Sequence, residues 1–460
     1  MTTIVCTIEG WENETKYSNV VKVLYGETYF FSVPLMFAQI LEVLLNLSDV
    51  AIVGKFADYT ALGAVGSTTI LVSLYTGFLI GMGSGVTVVI AHCLGAQKNE
   101  LTKKNTCSAF AACCMVGILI CLISFFSTDI MLNVLNTKQE LFQQAALYLK
   151  IFSLGFPAMA LYNYGNGVLS ACGDTKRPLM YLTVAGIANV ILNLFFVIVF
   201  HRAADGVAIA SVIAQYLSAG LILAHLKSRE DICKLVVEPS LFDRHAFMRV
   251  MELGVPAGLQ NAIFAIANLF VQKTVNSFDA IVVSGNSAAN NADTIVYNVL
   301  AAFHTGCSSF VSKNYGAGNV ERMMKSYLIA LFYSFSSGVL FGGLLLIFGN
   351  TFLLLFTNDV LVMQSGMEKL RIMAFSYCIS SFMDCTIAAS RGIGKSIVPT
   401  IIVMIGSCAF RVLWVYTIFA QFHTIPSLYL FYPCSWTLIA IVEIAYFLYS
   451  FRKIKQMMQI

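Results

Sequence analysis

Residues 30–56 read FFSVPLMFAQILEVLLNLSDVAIVGKF, and this stretch decides what kind of chain it belongs to. At about 1.5 Å of rise per residue it is long enough, as a helix, to cross the roughly 30 Å hydrocarbon core of a bilayer. Yet it holds Glu42, Asn46 and Asp49, spaced i, i+4 and i+7, which is one stripe of a helix. A carboxylate at mid-membrane costs roughly 2.5–3.5 kcal/mol on insertion scales. Two on one stripe therefore predict a polar interior, shielded from lipid, where something binds or a proton moves.

The rest of the chain has the same character. Of its 460 residues 58% are hydrophobic, 13% aromatic and only 11% charged, with a mean hydropathy of +0.78. A soluble domain carries about 25% charged residues, so this chain has too little polar surface to cover a globule in water. The bilayer is its main solvent, and the expectation is an all-α polytopic membrane protein. A net charge of +4 gives no basic face for nucleic acid. The 13 cysteines are scattered through apolar runs without CxxC or Cys/His ligand spacing, so neither a metal centre nor a disulfide framework is expected. The N-terminus, MTTIVCTIEGWENETKYSNV, lacks a basic start followed by an apolar core, so the first span is expected to act as the signal.

Apolar runs place twelve spans near 30–56, 62–93, 107–127, 145–171, 178–200, 206–226, 255–278, 281–312, 326–356, 370–390, 398–420 and 428–450. The second and eighth are rich in Gly, Ser and Thr, residues that let helix backbones approach closely in a bilayer. Most Lys and Arg residues, among them Lys98, Lys103, Lys104, Lys176, Arg177, Lys227, Arg229, Lys313, Arg391 and Lys453, fall on one side, with Lys138, Arg202 and Lys369 on the other. The positive-inside rule then puts both termini in the cytoplasm. The segment 227–252, KSREDICKLVVEPSLFDRHAFMRVME, divides the spans six and six. It is expected to be a cytoplasmic linker with a short amphipathic surface helix, between an N-lobe at 1–226 and a C-lobe at 253–460.

Shifted by 221 residues, the chain resembles itself. Gly173 falls on Gly394, Pro178 on Pro399, Asn163 on Asp384, Gly85 on Gly306, Gly95 on Gly316 and Glu100 on Glu321. Six spans is an even number, so both lobes enter the membrane in the same direction. They should be related by a pseudo-two-fold axis along the membrane normal, an arrangement in which transporters place the binding cavity between lobes.

Several stretches resemble the multidrug and toxic compound extrusion (MATE) family: PLMFAQILEVLLNLSDVAIVGKF, ALGAVGS, a small-residue span ending in CLGAQK, SACGDTKRP and SRGIGKSIVP after the fourth span of each half, and FRVLWVY. The pattern is closer to the bacterial, DinF-like branch. The resemblance covers nearly the whole chain. It implies two six-helix lobes forming a V, and export driven by a proton or sodium gradient.

Asp49 leads the candidate residues. With Gly54 five residues on, it matches the first-helix Asp that in similar transporters binds or exchanges the coupling cation. A carboxylate in a low dielectric holds its charge poorly, so its protonation can respond to a gradient; the alternative is an Asp that caps a broken helix. Asn189 and Asn193, at i and i+4 in the fifth span, stand where related proteins carry Asn and Asp. They are expected in the cation site, with Asn193 supplying an amide in place of a second acid. Glu42 and Asn46 share the Asp49 stripe as cavity residues or helix glue. Asp384 stands in the helix where some similar transporters carry a second-lobe cation site; otherwise it lines the cavity or pairs with a base. Arg411 is expected to pair with Asp384 or Glu443, the alternative being a role in gating or in contacting an anionic substrate. Tyr162 is a candidate for an aromatic-lined cavity, although packing explains most single tyrosines.

No P-loop, GxSxG or zinc motif occurs, so neither ATP-driven export nor an enzyme is expected. The reading is an antiporter exporting amphipathic, often cationic small molecules for H+ or Na+, with Na+ at Asp49 one option and no other cofactor. Its expected partners are a small-molecule substrate and the lipid bilayer, not nucleic acid, and it is expected to be a monomer in the plasma membrane. A lipid-linked precursor flippase of related architecture would need a strongly basic cavity, for which Arg411 alone is available. A receptor without transport would have no need of two like halves.

Overall fold

The computed structural model describes residues 26, 28, 30–41, 43–44, 48–49, 52–53, 55–56, 59–135 and 137–458. Glu42 and Asn46 lie outside them. The described residues form helices joined by short turns. In the first half these are α1 (Phe30–Leu41, with helix also at 43–44, 48–49, 52–53 and 55–56), α2 (Tyr59–Gly95), α3 (Asn99–Val134), α4 (Gln139–Ser153), α5 (Phe156–Ala171), α6 (Lys176–Val199) and α7 (Ala204–Ser228). In the second half they are α8 (Arg244–Val275), α9 (Ala280–Gly316), α10 (Val320–Leu353), α11 (Val360–Gly392), α12 (Ile397–Phe422) and α13 (Ile425–Met458).

Most helices outrun the apolar stretches that announce them. At 37 residues, α2 is about 55 Å long by the usual rise, against a core of roughly 30 Å. The expected spans are the apolar middles of longer rods. The fourth span, expected as one helix over 145–171, is a pair: α4 stops at Ser153 and α5 restarts at Phe156, with a 44° bend between them. Pro157 in the first turn of α5 explains the restart, because its missing N–H is unneeded there. The segment 227–252 also differs from expectation. No separate surface helix forms; residues 229–243 hold only a short 3-10 turn at Pro239–Leu241, and the helical residues from Arg244 onward are the opening turns of α8. Cys233 and Leu235 are buried in the first-half core, so the connection folds back on that half.

The repeat is visible in the backbone itself. Left-handed conformations occur in pairs: Gln97 with Gly318, Gly173 with Gly394, and His201 with His423. Gly173 and Gly394, at φ +87° and +80°, end α5 and α11 with the same bonding, Asp174 N to Leu169 O and Lys395 N to Ser390 O, both 2.9 Å. This helix ending needs a residue that tolerates positive φ. Side chains repeat too. Thr175 Oγ1 donates to Phe31 O at 2.9 Å, and Ser396 Oγ to Leu253 O at 3.0 Å.

The lobes meet along one end of the bundle, the end carrying the Lys- and Arg-rich turns. There α2 packs on α8 and α9 on α1. Gly81 of α2 lies so near α8 that a methyl group on it would sit 2.3 Å from the Gly258 nitrogen. Across this seam Asn261 Nδ2 donates to Gly77 O at 3.0 Å, Ser309 Oγ donates to Ser170 O at 3.2 Å, and His92 Nε2 lies 2.6 Å from Gly392 O. Away from the seam, α9 shows an exposed stripe of Ser284, Ser287, Asn290 and Thr294. The Ser287 and Thr294 hydroxyls donate to carbonyls of their own helix at 3.0 and 2.8 Å, and Asn290 Oδ1 accepts from Lys369.

Candidate functional site

Three helices bring the leading candidates together. Asp49 comes from α1, Asn189 and Asn193 from successive turns of α6, and Ser211 from α7. Asn193 Nδ2 donates to Asp49 Oδ1 at 2.5 Å and to Asn189 Oδ1 at 3.2 Å. Asn189 Nδ2 donates to Ser211 Oγ at 3.3 Å, and Ser211 Oγ donates to Asp49 Oδ2 at 3.2 Å. The four side chains thus close a ring around one carboxylate. The opposite amide orientation at Asn193 would set its carbonyl against Asp49 Oδ1, so the network fixes the assignment.

The ring has one loose end. Asn193 is fully buried, and among the described residues its Oδ1 has no hydrogen-bond partner. A buried carbonyl oxygen without a donor calls for an explanation. Together with the Asp49 oxygens, Asn189 Oδ1 and Ser211 Oγ, it makes a set of hard oxygen donors suited to a hard monovalent cation. A proton has Asp49 as its acceptor. Directly after Asn193, α6 widens into a π-turn at Phe195–Val199. Such turns leave a backbone carbonyl loosely held and are frequent at functional sites.

Asp49 faces a cavity of about 350 Å³ within the first half, which is the size of a small-molecule site. Gln39, Tyr162, Asn163, Asn166 and Gln215 give it amide and phenol groups, while Val72, Phe152 and Met159 give it apolar wall. Asp49 is the one carboxylate among the described lining residues. Tyr162 lines the cavity, with its hydroxyl donating to Pro178 O at 3.1 Å. Thr305 of the second half also reaches it.

The remaining candidates lie elsewhere. Asp384, 8% exposed, sits in the second half beside Arg391. Arg411 corrects the expectation placed on it. Among the described residues it forms no ion pair with Asp384 or Glu443. Its Nη1 donates to Asn268 Oδ1 at 3.0 Å, and its guanidinium lies 5.1, 5.2 and 6.0 Å from the rings of Tyr432, Phe431 and Phe264. Ring faces stabilise the cation in place of a carboxylate. Two π-turns, Ile405–Ala409 and Val415–Phe419, flank it.

One cluster escaped the sequence reading. Lys369 of α11, 2% exposed, forms an ion pair with Asp293 of α9 at 2.7 Å. It also donates to Asn290 Oδ1, and Tyr377 donates to Asp293 Oδ1. The Lys369 amine lies 5.4 Å from the Tyr429 ring centre, and Tyr429 donates to Asn286 Oδ1 at 2.6 Å. Lys369 had been counted as a loop charge, because α11 begins ten residues before the apolar run that announced it. The signal in the sequence is Asp293, the one acid of α9, thirteen residues from the helix start and twenty before its lysine, Lys313.

A family model described as MatE matches residues 34–195 and 256–417. The probable multidrug resistance protein YpnP of Bacillus subtilis (strain 168) is 25% identical over 363 residues, which is 78% of this chain and 79% of that protein. DNA damage-inducible protein F of Escherichia coli (strain K12) is 22% identical over 339 residues, 73% of either chain. A solved structure of a multidrug resistance MATE family transporter of the MOP superfamily, in an outward-facing conformation, matches with a TM-score of 0.86 at 20% identity, over 94% of this chain and 97% of that one.

Proposed function

The chain belongs to the MatE family, and from that premise we propose that it is a secondary active antiporter. It exports amphipathic, often cationic small molecules across the plasma membrane in exchange for H+ or Na+. The observation that carries this reading is the ring of Asn189, Asn193 and Ser211 closed around Asp49 where it faces the cavity. The names of relatives such as the probable multidrug resistance protein YpnP support the transport reading. The lysine- and arginine-rich end of the bundle is the cytoplasmic side, with both termini there. The chain works as a monomer, and transport rather than an enzymatic reaction is its activity.

The ionised Asp49 accepts from Asn193 and Ser211. These bonds hold α1, α6 and α7 in register, and the negative charge attracts a cationic substrate into the cavity. A proton arriving at Asp49 removes that charge and weakens both charge-assisted bonds. Na+ in the same place would take Asp49 and the amide and hydroxyl oxygens as ligands, a geometry for which the unpartnered Asn193 Oδ1 is suited. In either case α6, softened at its π-turn, is free to shift, and the cavity loses its attraction for a cation. Each elementary charge moved across 100 mV supplies roughly 2.3 kcal/mol, about a 50-fold concentration ratio.

The test is transport in vesicles reconstituted with the purified chain. An ethidium-like cation should accumulate only when a gradient is imposed, and separate pH and Na+ gradients identify the coupling ion. Accumulation with neither gradient present, or none with both, rules the antiporter reading out.

A further inference from the structure

The repeat says where the second half should carry a cavity like that of the first. Cavity-lining residues Gln39, Thr76, Asn163 and Ser170 correspond, 221 residues on, to Gln260, Tyr297, Asp384 and Arg391. The exchange of Ser170 for Arg391 is the decisive one. A serine leaves space beside the wall, whereas the Arg391 side chain crosses that space and donates from Nη2 to Gln260 Oε1 at 2.6 Å. Arg391 therefore reaches the counterpart of the wall opposite Ser170. Two further lining residues, Val72 and Tyr148, correspond to Asp293 and Lys369, which close on each other as an ion pair.

The volume that Arg391 enters is rich in unmatched polar atoms. Glu443 is fully buried, and among the described residues neither of its carboxyl oxygens has a hydrogen-bond partner. In the same sense Asp384 Oδ2 is unpartnered, and so is Arg391 Nε. Asp384 lies seven residues before Arg391 on α11, and α13, which carries Glu443, packs against α11, yet among the described residues Arg391 forms an ion pair with neither carboxyl. Two buried carboxyls facing one guanidinium without touching it is a costly arrangement, unless the charge of the one is needed to hold the others.

We propose that Arg391 is a tethered cation. It fills the second half's counterpart of the substrate cavity and supplies the one positive charge that Asp384 and Glu443 share, so that free cations are taken by the first half alone. Arg391 is in this sense a specificity-determining residue. It makes two lobes of one fold unequal, and its removal should leave a vacant cation site lined by two carboxyls. The inference does not depend on which ion Asp49 takes.

The test is chemical complementation with methylguanidinium, the head group of the missing side chain. The purified chain carries Asp49→Asn throughout, so the first-half site contributes nothing and failure of the Asp49 reading is told apart from failure of this one. With Arg391 intact, equilibrium dialysis against labelled methylguanidinium should show no specific binding. With Arg391→Ala added, one methylguanidinium should bind per chain, and binding should vanish again when Asp384→Asn and Glu443→Gln are also made. No binding gained by a monodisperse Arg391→Ala protein, or binding that survives neutralisation of both carboxyls, overturns the proposal. Should Arg391→Ala fail to fold, the reciprocal change carries the test. Ser170→Arg in the otherwise native chain should fill the first cavity and abolish binding of an ethidium-like cation, and unchanged binding would overturn the correspondence.

Discussion

The two halves share a fold but treat charge in opposite ways. In the first half, among the described residues, the Asp49 carboxylate is held by neutral groups, the Asn193 amide and the Ser211 hydroxyl with Asn189 behind them, and faces a cavity. In the second half buried charges of both signs occur: Asp293 pairs with Lys369, Asp384 and Glu443 share the interior with Arg391, and Arg411 lies among aromatic rings. Repeat positions that are small or neutral in one half are charged in the other: Val72 against Asp293, Tyr148 against Lys369, Ser170 against Arg391. A duplicated scaffold therefore need not duplicate its site. Left-handed turns recur at matching places in the two halves, while the side chains at corresponding positions differ in charge.

The contrast is sharpest at the buried pair. Lys369→Met leaves Asp293 without its base and should cost about 3–5 kcal/mol, while the double variant Lys369→Met/Asp293→Asn should recover most of that. Thermal unfolding in detergent measures both. If the single variant is no worse than the double, the second half does not depend on charge matching. In the first half, Asn193→Leu removes a charge-assisted bond worth about 1.5–3 kcal/mol and should weaken the apparent affinity for the coupling ion tenfold or more. The same leucine should leave the fold intact, and ion-dependence curves in vesicles separate the two effects.

The seam between the lobes carries a subtler asymmetry. Gly81 of α2 corresponds to Ala302 of α9. Gly81 meets the α8 backbone at Gly258, whereas Ala302 packs on Phe31 and Leu35 of α1. Gly81→Ala must push two backbones apart and should cost roughly 1–3 kcal/mol. Ala302→Gly deletes one methyl from a looser contact and should cost about 1 kcal/mol. Equal costs in the unfolding assay would mean that the two crossings are equivalent after all.

The smallest difference is at the helix starts. Asp243, Asp279, Asn319 and Asp359 cap α8 to α11 with side-chain hydrogen bonds, whereas α3 to α7 begin without a side-chain cap. Asp243→Ala should cost about 1 kcal/mol. The N–H groups of Ala246 and His245 hold the Asp243 carboxyl below its ordinary pKa. Its cap therefore stabilises above the ordinary carboxylate pKa and is lost as pH falls through the lowered one. The gap between native and variant unfolding temperatures should narrow on acidification, and a gap independent of pH would remove the charged cap from consideration.

Much of this was legible in the residues. Hydropathy gave the spans, the constant offset of Gly173 with Gly394 gave the repeat, and the i, i+4 spacing of Asn189 and Asn193 placed both on the face that meets Asp49. Ser211 was not legible, because a lone serine in a small-residue helix carries no signal of its own. Arg391 looked like one more basic residue of a cytoplasmic turn. Only the structure shows its side chain directed inward to Gln260, since a helix end fixes where a Cα lies but not where a long side chain reaches. Arg411 was given a carboxylate partner by the usual rule for buried charge, but aromatic faces supply the alternative.

The central claim is that Asp49 couples export to the ion gradient. Its most direct measurement compares the native chain with Asp49→Asn in vesicles, at equal protein incorporation and under the gradient that drives the native chain. The expected result is accumulation of the fluorescent cation by the native chain and none above empty vesicles for Asp49→Asn, whose side chain keeps the shape but carries no charge. Gradient-driven accumulation by Asp49→Asn at the native rate would contradict it.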